Sequence, residues 1–303
     1  MIIHKQDQEG SFFRKIAEQG HYAGRTIPTS TRQGLYIATA GGNLLSSRNT
    51  TQAKQVTGLI GRGLAAWEKV NPDQIRAFGV ELDADPNYTV QFPEGGMILR
   101  ETMRDLPRED QVRFETWRHN FDHVWLTRDE VNAFIPEALE PDFQYSVRES
   151  VVRKLARFHF VDQVKGEATP YRDSKVKNTV LNAKVEKELK GGHWFVSLNG
   201  TAACSVPPSG EKNPYSGQKI RKPRSVDLEI RGRLIFDPES RSFTRFDLLA
   251  FGDREGTATY NFRFDDMGPA PIGFAFELLP NRPENRIRPK FAGSRYQSAS
   301  ERQ

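Results

Sequence analysis

The stretch Ser225–Gly252, SVDLEIRGRLIFDPESRSFTRFDLLAFG, decides the reading of the fold. Val226, Leu228, Ile230, Gly232, Leu234 and Phe236 alternate with Asp227, Glu229, Arg231 and Arg233. A period of two over that length gives a strand with one face for a core and one for water. Asp237–Arg241 reads as a turn. A second run follows, with Thr244, Phe246, Leu248 and Ala250 on one face and Arg245 and Asp247 on the other. A turn centred on Ser240 sets Leu234 opposite Phe246 and Arg233 opposite Asp247. Both faces then match, which fixes the register of a long antiparallel hairpin.

Further strands flank it. Leu181, Ala183 and Val185 alternate with Asn182, Lys184 and Glu186; Gly191-Gly192 turns the chain, and Trp194, Val196, Leu198, Gly200 and Ala202 return it. Ile272, Phe274, Phe276 and Leu278 supply a last strand. About five strands in hairpin succession predict an up-and-down antiparallel sheet domain over 166–280. One face is rich in rings: Trp194, Phe236, Phe246, Phe274 and Phe276. Helices must cover it, or it holds an apolar ligand, which makes these five the candidate ligand-binding residues.

The covering helices are expected in a middle region, 73–165. Strand-like pieces at Tyr88–Phe92 and Met97–Thr102 precede a helix from Arg108 carrying Phe114, Trp117, Phe121 and Val124. Thr127-Arg128-Asp129-Glu130 is a capping box, with Leu126 and Val131 placed as a hydrophobic staple. The short helix it starts ends before Pro136. Ser146-Val147-Arg148-Glu149 repeats the box ahead of a helix to about Val164, with Val151, Val152, Leu155, Phe158 and Val161 on its buried side. The fold class expected is therefore α+β, a sheet packed on helices.

Near the start, Ser11 caps a short helix with Phe12, Phe13, Ile16 and Ala17. A loop follows, then a strand at Gly34–Thr39, a turn at Ala40–Asn43 and a strand at Leu44–Ser47. Asn49, Thr50 or Thr51 caps an amphipathic helix with Val56, Leu59, Ile60, Gly63, Leu64, Trp67 and Val70 on one stripe, ended by Asn71-Pro72. With Ile27-Pro28-Thr29 ahead of it, this order resembles the C-terminal half of a thioredoxin-like domain, as in bacterial thioredoxin-like proteins, over about residues 1–70. The resemblance implies a partial α/β unit at 1–72. Ser30–Gln33 separate the Pro-Thr pair from the strand, unlike the family, and the cysteine-bearing helix has no counterpart, so no redox activity is implied.

Composition sets further bounds. Cys204 is the single cysteine among 303 residues, which excludes intrachain disulfides, Cys-x-x-Cys chemistry and thiolate zinc clusters. Hydrophobic residues are 37% and charged residues 27%, a soluble globular balance with no apolar run long enough to span a membrane. The polar start, Met1–Gly10, predicts a cytoplasmic protein as the sequence stands; a true start further upstream would make export the expectation. The formal charge of +5 is concentrated in 206–224, with Lys212, Lys219, Arg221, Lys222 and Arg224, and in 281–303, expected to be a disordered basic tail. Neither segment interleaves the aromatics of a base-stacking platform, which argues against nucleic acid.

Among side chains with chemistry, His119 and His123 lie four apart on the expected helix, with Asp122 between them and His159 or Asp162 as a third ligand. His119 falls about 200° from Trp117 at about 100° per residue, which makes it a solvated histidine. No metal and no cofactor are expected, and Cys204 reads as a small hydrophobe. The leading expectation is a non-catalytic binding or interaction protein, its partner an apolar small ligand or a protein. The alternatives are a hydrolase-type or metal-dependent enzyme using His119, Asp122, His123, His159 and Asp162, and nucleic-acid contact through the basic loop and tail.

Overall fold

A computed structural model describes residues 8–21, 23, 33–76, 91–108, 119–210, 212, 217, 219–220, 223–258, 260–292 and 296. The chain divides into two compact units, Met1–Val90 and Gln91–Gln303.

In the first unit, α1 (Gln8–Glu18) precedes a hairpin of β1 (Leu35–Ala38) and β2 (Leu44–Arg48), then α2 (Ala53–Trp67) and α3 (Pro72–Arg76). β1 and β2 pair antiparallel, as their pattern predicts. α2 packs on the hairpin through Leu59 and Gly63, its buried residues. A Cβ on Gly63 would come within 2.8 Å of the Ile37 Cδ1, so any larger residue would have to push that side chain aside. The expected stripe is wider than the contact, because Ile60, Leu64 and Trp67 are exposed. The cap also differs: Gln52 holds the N-cap position without a side-chain hydrogen bond. Ile27-Pro28-Thr29, which carried the family resemblance, lies outside the described residues.

The second unit is built on one eight-stranded antiparallel sheet. Its strands are β3 (Met97–Asp105), β4 (His119–Leu126), β5 (Gln144–Ser146), β6 (Val176–Glu188), β7 (Trp194–Val206), β8 (Arg224–Asp237), β9 (Ser242–Glu255) and β10 (Ala270–Leu279), in the order β4-β3-β10-β9-β8-β7-β6-β5. The meander β6–β10 matches the five expected strands. In the β8–β9 hairpin Leu234 stands opposite Phe246 and Arg233 opposite Asp247, the register that the alternation predicts. The inner face carries Val226, Leu228, Ile230, Leu234, Phe246, Leu248 and Ala250, all buried. Two short helices, α4 (Arg128–Asn132) and α5 (Glu149–Phe158), lie among the remaining segments of this unit.

The protein is mostly β, and the α+β expectation fails in the middle region. Residues 119–126 form β4, not the end of a helix. Their inward positions are Asn120, Asp122, Val124 and Leu126; the two polar members break the apolar alternation that marks a strand. α4 starts with the predicted box: the Thr127 hydroxyl accepts from the Glu130 N–H and Glu130 Oε2 accepts from the Thr127 N–H at 2.8 Å. The second box does not form. Ser146 belongs to β5, where its hydroxyl donates to Asn182 Oδ1 at 3.0 Å, and Arg148 is the N-cap of α5. α5 ends at Phe158, well before Val164. Phe158, His159, Phe160 and Val161 are buried four in a row, a pattern no single helical face provides. The inner face is covered by α5 together with Phe134, Phe160, Val161, Val164 and Tyr171.

The segment expected to be a disordered tail is docked as far as it is described. Ala292 and Tyr296 are buried, and the Lys290 N–H donates to Asp122 Oδ1 at 3.0 Å. Low apolar content overall hides this anchoring, because a few buried groups, Ala292 and the Tyr296 ring against Phe158, act together with the polar bonds to hold the segment.

Candidate functional site

Glu101 on β3 stands directly opposite Asp122 on β4. Both strands turn alternate residues inward, so the two carboxylates sit side by side on the core face among Leu99, Met103, Val124 and Leu126. His159, the residue after α5, closes the group. Its Nδ1 lies 2.7 Å from Glu101 Oε2 and its Nε2 lies 2.9 Å from the Tyr296 hydroxyl, which accepts the Trp125 N–H at 3.1 Å. The bonds run one way. Trp125 donates to Tyr296, Tyr296 donates to Nε2, and Nδ1–H donates to Glu101, a direction assigned from the network that leaves the ring neutral. Burial, helped by the Lys154 charge, pushes the imidazole down to about 3.

Asp122 is held by one oxygen only. Its Oδ1 accepts from the His123 N–H at 2.8 Å and from Lys290, while Oδ2 is buried without a hydrogen-bond partner, as is Glu101 Oε1. Burial raises the Asp122 carboxyl to about 6; burial first, and the Asp122 charge second, push Glu101 well above the usual carboxylate range. The nearby cations have partners of their own. Lys154 Nζ contacts the two Glu130 oxygens at 2.9 and 2.8 Å and lies 4.2 Å over the Tyr296 ring. Lys290 Nζ lies 3.8 Å from Glu167.

A second buried network occupies the far end of β3. Arg263 donates to Asp105 at 2.9 and 2.7 Å and to Asp162 at 2.8 and 2.9 Å. Arg108 forks onto Asp266 at 2.9 and 2.8 Å, and Arg254 pairs with the same carboxylate. Burial pushes Asp266 up, but Arg108 and Arg254 outweigh it and hold the carboxyl at about 2. Three arginines thus face three aspartates, a closed set in which each guanidinium has a carboxylate.

The residues nominated from sequence are divided by this geometry. Asp122 and His159 come together. Asp162 belongs to the arginine cluster. His119 and His123 point to the outer face of β4, His119 exposed and in edge contact with the Phe121 ring. Glu101 and Tyr296 are absent from the residues nominated from sequence; the signal for Glu101 is that Met97, Leu99, Glu101, Met103 and Asp105 share one face of β3, a carboxylate inside an apolar alternation. Phe236, Phe246, Phe274 and Phe276 are buried against the protein's own rings: Phe134 lies 5.0 Å from Phe246, and Phe160 5.8 and 5.9 Å from Phe274 and Phe276. Trp194, opposite Phe236, is partly buried at the same core. Clefts of about 420 Å³, beside Met97, Phe243 and Leu278, and about 250 Å³, beside Ile220, Thr257 and Tyr260, are lined by none of these residues. Cys204 is buried with its Sγ 3.6 Å from the Ala156 carbonyl, and burial raises the thiol to about 12, the character of an inert core residue. No helix among the described residues is long and apolar enough to cross a membrane.

No protein-family model, no curated protein and no solved structure matches this chain.

Proposed function

We propose that the chain is a non-catalytic binding protein whose second unit offers the outer face of its sheet to a protein partner. One observation carries this reading: Phe121, Leu249 and Phe251 are exposed on that face at 54, 52 and 38%. They belong to adjoining rows. Phe121, Thr102, Ala275 and Leu249 follow one another across β4, β3, β10 and β9, and Gly273 stands beside Phe251 in the next row. Ala275 and Gly273 on β10 separate the large residues, and the Leu106 side chain lies over Gly273 and adds to the apolar surface. Arg231 opposite Leu249, Glu229 opposite Phe251 and Arg104 opposite Gly273 give it a charged rim. An apolar centre with a polar rim is the anatomy of a protein interface.

An apolar ligand on the inner face has no support, since that face is filled by the chain's own rings. A nucleic-acid role for the basic loop is weakened at Arg224, which donates to the Thr169 carbonyl at 2.7 Å and lies over the Tyr171 ring. The test places a photo-crosslinking residue at Leu249 or at Thr201, which is exposed on the polar side of the same face. Capture at Leu249 alone, abolished by Phe251→Glu, is expected. Equal capture at both positions, or at neither, would refute the reading.

A further inference from the structure

The strongest unexplained feature is the pair of carboxylate oxygens left without partners in the core. Lys154 is committed to Glu130, and the one charge of Lys290 is shared among Glu167, Asp122 and Glu101, so the two buried carboxylates keep surplus negative charge. One atom from each of Glu101, Asp122 and His159 can be chosen so that the three lie within 4.8 Å of one another. We propose that Glu101, Asp122 and His159 bind one divalent transition-metal cation, over which Lys290 and Tyr296 close.

The supporting contacts fit this use. His159 Nδ1 faces the carboxylates, and ligation through it takes the other tautomer: Nδ1 gives up its proton, and Nε2–H donates to the Tyr296 hydroxyl, 2.9 Å away, as the far nitrogen of a ligating imidazole does. Asp122 is steadied through Oδ1 by two backbone N–H groups, which leaves Oδ2 for a cation. Two formal negative charges match a divalent ion. One imidazole with two carboxylates favours Zn²⁺ or Mn²⁺ over Mg²⁺, which keeps its water and prefers oxygen alone. The site needs no access for substrate, and its role is to lock the C-terminal segment onto β4.

The test is calorimetric titration of the chelator-stripped full chain with Zn²⁺, Mn²⁺ and Mg²⁺, alongside thermal melts. One equivalent of Zn²⁺ or Mn²⁺ should bind and raise Tm, with no response to Mg²⁺. Glu101→Gln and Asp122→Asn should each weaken binding by at least about 100-fold, and Tyr296→Phe by about 10–100-fold through loss of the Nε2 bond. His119→Asn with His123→Asn, on the outer face, should bind as tightly as the parent; loss of binding there would place the ion on the surface and overturn the proposal. So would silence of the parent chain to both metals, or undiminished binding by the carboxamide variants. If those variants fail to fold, Tyr296→Phe decides: unchanged affinity overturns the proposal.

Discussion

The two buried charge networks of the β3 region differ in one respect. Around Arg263 the arginines and aspartates are equal in number and interlocked, whereas around Glu101 the carboxylates outnumber the ammonium groups available to them. A closed set resists the loss of any member, because each loss strands a charge in low dielectric. A set with surplus negative charge needs a proton or a cation from outside, and removing the surplus costs little. Arg263→Met should therefore destabilise the protein by about 3–5 kcal/mol in urea melts, by stranding Asp105 and Asp162; a loss under about 1 kcal/mol would break the contrast. Acid should attack the closed set in a definite window. Asp266 has its folded pKa depressed to about 2 from 3.8, so its stabilisation is present above the higher value and is lost as pH falls through the lower. Melts from pH 5 to pH 2 should show this decline, and Asp266→Asn, less stable throughout, should show a shallower one. Glu101→Gln in chelator is expected to change stability by no more than about 1 kcal/mol. A cost like that of Arg263→Met would mean that the carboxylate is compensated after all. Arg100 and Glu277, paired across β3 and β10 with both side chains half exposed, set the surface baseline: Arg100→Ala should cost at most about 0.5 kcal/mol.

What was legible in the sequence follows from the same physics. The β8–β9 register could be read because Leu234, Phe246, Arg233 and Asp247 leave each face a single character. Thr127 and Glu130 announced α4 because a capping box is local, needing nothing from the rest of the chain. β4 was misread where Asn120 and Asp122 occupy core positions, and the polar network that makes the region of interest is what hid its strand. Tyr296 was assigned to a tail because its partners, Trp125 and His159, lie far away in sequence. Ser146 shows the converse: its place in a box-like tetrapeptide counted for less than its pairing with Asn182 across β5 and β6. Of the five nominated His and Asp residues, Asp122 and His159 meet, while the spacing of His119 and His123 put them on the outer face of a strand.

A crystal of the full chain grown with Mn²⁺ and measured for anomalous scattering tests most directly the claim that the Glu101 network carries surplus negative charge that a cation completes. The account predicts one strong peak bonded to Glu101, Asp122 and His159, with Tyr296 still on Nε2. A map with no peak there at full Mn²⁺ occupancy elsewhere, and with Glu101 and Asp122 ion-paired to Lys290 or Lys154, would contradict it.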